Sequence, residues 1–125
     1  MERSATRRWR PAIVFALLLL VTSLVPLPQN GAGTVPALLS VSLDKWAHAA
    51  GYGAFTVLLA SGRRAQRARS VAALVALAVA YGAGIEGLQA LTASRSASGA
   101  DMLANGVGAV LAGVAWRWSR RSNRD

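Results

Sequence analysis

A continuous apolar stretch occupies residues 71–93, with the sequence VAALVALAVAYGAGIEGLQALTA. It carries one charged residue, Glu86. A helix of this length can cross the roughly 30 Å hydrocarbon core of a bilayer, so the stretch predicts a transmembrane helix. A carboxylate inside such a helix is costly unless it is paired or protonated. We therefore expect Glu86 either to find a partner from elsewhere in the bundle, with His48, Lys45 and Arg95 as the candidates, or to be protonated.

Three arginine clusters lie along the chain, and two apolar segments fit between each cluster and the next. Their members are Arg3, Arg7, Arg8 and Arg10; Arg63, Arg64, Arg67 and Arg69; and Arg117, Arg120, Arg121 and Arg124. Short basic flanks mark the cytoplasmic ends of transmembrane helices, and they can contact anionic headgroups. Two crossings fit between successive clusters, so all three can lie on one side. Despite a net charge of +9, this placement favours a membrane protein over a nucleic-acid binder.

The apolar segments between the clusters predict four spans. The spans cover about residues 11–26, 43–61, 71–93 and 100–118. We therefore expect an all-α polytopic membrane protein: one domain over residues 1–125, a four-transmembrane-helix bundle with cytoplasmic N- and C-termini. The excess of Arg over Lys and the many Ala and Gly residues suggest the plasma membrane of a prokaryote.

The first span has two interpretations. As a span, it has Trp9 at the interface and Pro11 near the first helical turn, and a loop follows from Leu27 to about Ser40. A basic start followed by a short apolar run is also typical of a cleaved signal peptide.

Small residues four apart, as in the pairs Ala104/Gly108 and Ala109/Gly113, favour close packing of the helices.

Polar side chains are concentrated near the predicted outer ends of the second, third and fourth spans. The candidate site residues are Asp44, Lys45, His48, Tyr52, Glu86, Gln89, Arg95, Ser98, Asp101 and Asn105. Spacings of three or four residues place the members from each span on one helix face. Glu86 lies roughly 10 Å below the outer end of its helix, a depth similar to that of His48. We expect three helices and one loop to form a polar layer near the outer leaflet.

Several of these residues also have structural explanations. Asp44 and Asp101 lie in first helical turns, where a carboxylate offsets the helix dipole. Lys45 could reach towards headgroups, Asn105 could join two helices, and Tyr52 could be ordinary packing. The chain has no Cys, one His and no recognisable spacing of metal ligands, so we expect neither a metal nor another cofactor.

The same residues resemble the signature of a known family. Residues 44–48, Asp-Lys-Trp-Ala-His, followed by Tyr52, resemble the D-K-x-x-H-x-x-x-Y pattern of VanZ-like membrane proteins, and residues 86–89 resemble that family's E-x-x-Q. The family's order and approximate spacing continue through Arg95, Ser98, Asp101, Asn105, Gly106 and Gly108. The resemblance covers residues 44–113. It implies that these residues form a site that members of the family share, and it assigns no chemical role to any of them.

The resemblance also implies a setting. The family's namesake is associated with low-level resistance to the glycopeptide antibiotic teicoplanin, and most members look like small proteins of prokaryotic membranes. Gly87 and Ala90 stand where bulkier residues are usual, which would widen the pocket.

Two classes of function fit the polar layer best. As a binding protein, the chain would hold a lipid or a lipid-linked cell-envelope precursor. Lys45, His48 and Arg95 suit a phosphate, whereas the carboxylates suit a sugar or amine headgroup. As an enzyme, it would be an outer-leaflet lipid phosphatase or hydrolase. His48, paired with Glu86 or Asp101, would act as general base, and Arg95 would stabilise developing charge, although no nucleophile or metal motif supports this.

Two further interpretations stay open. Buried His and Glu can relay protons, but four short spans would need a homo-oligomer to build a proton-coupled transporter. A scaffold that holds another envelope protein is the remaining alternative.

Overall fold

The computed structural model describes residues 2–25, 37–38, 41–92 and 98–122, and within them the fold is helical, as expected. The helices are α1 (Glu2–Leu24), α2 (Leu43–Arg63), α3 (Ala68–Ala90) and α4 (Gly99–Ser122). Two short strands, β1 (Ala37–Leu38) and β2 (Val41–Ser42), pair in antiparallel orientation directly before α2.

Two of these helices, α3 and α4, are long and apolar enough to cross a membrane. Only 33% of the apolar window of α3 and 22% of that of α4 are buried, so most of their apolar surface is available to lipid. The other two helices include more polar residues. α1 contains Arg7, Arg8 and Arg10, and α2 carries Asp44 and Lys45 in its first turn. The uninterrupted apolar part of each of these helices is therefore shorter than the helix itself.

Several helix ends differ from the predicted spans, among them the start of α1 and the end of α3. α1 begins at Glu2, so Pro11 lies in the helix interior rather than in the first turn, where its missing N–H removes one helical hydrogen bond. α3 ends at Ala90, three residues before the expected end. The Thr92 hydroxyl donates to the Gln89 carbonyl at 2.8 Å, a local bond that competes with continuation of the helix. The predicted loop before α2 contains the β1–β2 pair.

The helix with the most extensive contacts is α2, which packs mainly against α4 and also against α1 and α3. Its buried residues Tyr52, Phe55 and Leu59 belong to the core. The closest approach is to α4, because a Cβ added to Gly108 would lie 1.9 Å from the Ala49 carbonyl oxygen. Only glycine allows the two backbones to come this close, as the spacing of small residues led us to expect.

Contacts at one end of the bundle bring the three arginine clusters together. The Trp116 indole donates to the Ala65 carbonyl at 2.8 Å, and Arg117 donates to the Gln66 carbonyl, so the end of α4 is held against the α2–α3 connection. Gly62 packs against Trp9 and the Arg8 carbonyl of α1. The described parts of the three clusters therefore share one end, and the described candidate polar residues lie towards the other.

Candidate functional site

Lys45 joins the beginning of α2 to the beginning of α4. Its Nζ lies 2.9 Å from Asp44 Oδ2 and 2.5 Å from Asp101 Oδ1. The side chains of Lys45 and Asp101 are 25% and 20% exposed, whereas that of Asp44 is 50% exposed. One ammonium is therefore shared by two carboxylates at a site that is open to solvent on the Asp44 side.

One turn further along both helices, His48 continues the cluster. Its Nδ1 lies 3.0 Å from Asn105 Oδ1, and its Nε2 lies 3.8 Å from Asp101 Oδ2. Asn105 is buried, and its amide fixes the orientation of the ring. When Nδ1 carries the proton and donates to Asn105, Nε2 of the neutral ring is free to accept a proton beside the Asp101 carboxylate.

Glu86 of α3 holds the start of α4. Its side chain is buried, and Oε2 accepts the backbone N–H of Ser98 at 2.9 Å. The Ser98 hydroxyl in turn accepts the backbone N–H of Asp101 at 3.3 Å, which caps α4. In the described part of the chain no ion pair involves Glu86, because Lys45 and His48 both face Asp101 instead.

Tyr52 and Gly82 lie beneath the cluster. Tyr52 is buried, and a Cβ on Gly82 would lie 2.9 Å from its Cε1 and 3.1 Å from Asn105 Nδ2. Gly82 therefore lets α3 approach both side chains. Gly82 is not among the residues predicted from the sequence, although its position four residues before Glu86, on the same helix face, could have indicated it.

Two expectations about α3 are not met. Gln89 is buried, but its Nε2 donates to the Ser23 carbonyl at the end of α1, at 2.7 Å, so it links two helices rather than joining the cluster. Gly87 and Ala90 are exposed, and a Cβ on Gly87 would meet nothing within 4 Å. These two small residues therefore do not widen the site.

The structure thus brings together the polar residues of α2, α4 and Ser98, with Glu86 attached through Ser98. Arg95 lies outside the described residues. We call the set Asp44, Lys45, His48, Glu86, Ser98, Asp101 and Asn105 the polar cluster. It holds three carboxylates against one ammonium, so it has an excess of hydrogen-bond acceptors. Among the residues that the structure describes, no group of three or more His, Cys, Asp or Glu side chains could hold a metal ion.

Comparisons of the chain with known protein families, curated proteins and solved structures give no match. The resemblance to VanZ-like proteins therefore stays a proposal that rests on the polar residues and their spacing.

Proposed function

We propose that the chain is a VanZ-like integral membrane protein with four spans and both termini in the cytoplasm of a prokaryote. Two observations support this topology. The apolar helices α3 and α4 suit a bilayer, and the described parts of the three arginine clusters share one end of the bundle. Under the positive-inside rule that end is cytoplasmic, so the polar cluster lies near the outer leaflet.

The proposed function is binding of a lipid or lipid-linked cell-envelope precursor through its headgroup. The observation that carries this proposal is the partly exposed group of Asp44, Lys45 and Asp101 at the end of the bundle opposite the arginines. Charged residues that lie within a membrane segment and pair with one another in this way are typical of functional sites.

The charge of the polar cluster indicates the kind of headgroup. Lys45 is already neutralised by Asp44 and Asp101, and Glu86 adds a third carboxylate. A bare phosphate would meet net negative charge, whereas hydroxyl, amide and ammonium groups would find acceptors. We therefore expect a headgroup that carries sugar or amine groups. The family's association with glycopeptide resistance is consistent with a cell-envelope component as the ligand.

Native mass spectrometry of the purified protein tests this proposal. We expect a defined lipid to co-purify with the wild type and to be retained about tenfold less by Asp101→Asn, because hydrogen bonds to charged groups contribute about 1.5–3 kcal/mol. Gln89→Leu is the matched control, since it removes a buried polar group outside the polar cluster. Equal retention by Asp101→Asn and the wild type would contradict a site at this cluster.

A lipid phosphatase or hydrolase is the second candidate, and the arrangement of His48 favours it. Its Nδ1 is held by Asn105 while Nε2 lies 3.8 Å from Asp101 Oδ2, which is the geometry of an oriented general base. A His48→Gln variant that keeps the co-purifying lipid but no longer releases its hydrolysis product would support catalysis. Absence of any product from the wild type would remove this candidate.

A further inference from the structure

A second site is indicated by a groove of about 1110 Å³ between α3 and α4, away from the polar cluster. Every fourth residue of α3 contributes an alanine to one wall, from Ala68 to Ala80. Val110, Val114 and Trp118 of α4 form the facing wall. The small alanine side chains leave space between two helices that are themselves apolar enough to span a membrane.

The length of the groove matches one leaflet. From Ala68 to Ala80 a helix rises roughly 18 Å. Half of a hydrocarbon core is about 15 Å thick. A groove of this length can therefore accept an extended acyl chain over most of the depth of one leaflet.

The groove ends at positive charge. Arg117 and Arg121, one turn apart on α4, line this end together with Ser122. Arg117 is held in place by its bond to the Gln66 carbonyl. Among the residues that the structure describes, no ion pair involves an arginine. A phosphate group has the charge and the acceptor oxygens that two guanidinium groups bind well.

We propose that this groove binds one anionic phospholipid, with an acyl chain along the alanine wall of α3 and the phosphate at Arg117 and Arg121. The site uses only α3 and α4, so it does not depend on the ligand of the polar cluster. With the arginine clusters at the cytoplasmic side, the lipid comes from the inner leaflet, where clustered basic residues attract anionic headgroups.

The test is native mass spectrometry of the protein released from bilayers that contain phosphatidylglycerol and phosphatidylcholine in equal amounts. We expect preferential retention of phosphatidylglycerol. Arg121→Gln should lower that retention about fivefold, since it removes one basic contact to an anionic headgroup. Ala76→Leu should also lower it, by filling the groove. The matched controls are Arg10→Gln, an exposed charge on α1, and Ala73→Leu, an exposed alanine of α3 outside the groove.

Four outcomes would overturn the proposal. Equal retention of the two lipids would show that the charge of the headgroup is not recognised. An equal loss in Arg10→Gln and Arg121→Gln would assign the effect to the overall surface charge. An equal effect of Ala73→Leu and Ala76→Leu would remove the role of the groove. A change in the mass of the oligomer with unchanged lipid retention in Ala76→Leu would place a second copy of the chain in the groove. Asp101→Asn leaves this groove intact. A loss of lipid binding at the polar cluster in that variant can therefore be told apart from a loss of lipid binding in the groove.

Discussion

Substitution of Gly108 by alanine should force α2 and α4 apart. The added Cβ would lie 1.9 Å from the Ala49 carbonyl oxygen and 2.7 Å from the Ala49 Cα. Both are backbone atoms, which no change of rotamer can move away. To restore an ordinary contact of 3.4 Å, the two helices must separate by about 1.5 Å. The same displacement would break the contacts of Lys45 with Asp101 and of His48 with Asn105.

The magnitude follows from the loss of packing. Overpacking a tight core destabilises a protein by about 1–3 kcal/mol, and a clash with a backbone belongs at the upper end of that range. Gly106→Ala is the matched control on the same helix, because a Cβ at that position meets nothing within 4 Å. Alanine in place of a helical glycine is by itself favourable by about 0.5–1 kcal/mol. This gain applies to both variants and cancels in their difference, so we expect Gly108→Ala to be less stable than Gly106→Ala by about 2–3 kcal/mol.

Unfolding by titration with SDS in mixed micelles, followed by the circular dichroism of the helices, measures this difference. Gly106→Ala should unfold at the same SDS fraction as the wild type or at a higher one, and Gly108→Ala at a clearly lower one. If the free energies of unfolding of the two variants agree within about 1 kcal/mol, the close α2–α4 contact does not exist as described.

Two further predictions concern α3 and the topology. Gln89→Leu should lower the free energy of unfolding by about 1 kcal/mol, since it removes one hydrogen bond to the Ser23 carbonyl; a loss as large as that of Gly108→Ala in the same SDS titration would contradict this role. Because the chain has no Cys, Ser42→Cys and Ser122→Cys each introduce a single thiol. With four spans, a membrane-impermeant maleimide should label the first in intact cells and the second only after lysis, and labelling of both from outside would exclude the proposed topology.

The positions of the helices could be predicted from the sequence because two apolar runs, separated by a short polar segment, lie between each arginine cluster and the next. The predicted starts of the second and fourth spans, at residues 43 and 100, lie within one residue of the starts of α2 and α4. The start of α1 could not be predicted in this way, since Pro11 suggested a first turn and α1 continues through it. The β1–β2 pair was also missed, because two residues per strand give no periodicity to detect.

Spacing along each helix predicted which polar residues share a face, but not which partner each one meets. That choice depends on how the helices are rotated and how closely they approach. Lys45 faces Asp101 rather than Glu86 because Gly108 draws α4 against α2. Gln89 is three residues from Glu86, so it is rotated by about 60° around α3, which is enough for it to face α1. Gly87, one residue from Glu86, is rotated by about 100° and faces outwards.

The two hydrogen bonds between the end of α4 and the α2–α3 connection have a consequence for the order of assembly. The carbonyl groups of Ala65 and Gln66 receive their partners Trp116 and Arg117 only when the last helix is in place. The same helix brings Asp101 to Lys45. During synthesis the first three helices emerge before α4, so a nascent chain at that stage holds Lys45 without Asp101 and two carbonyl groups without these donors. Insertion of α4 therefore completes both ends of the bundle in one step, and a chain that stops before α4 has neither end in its final form.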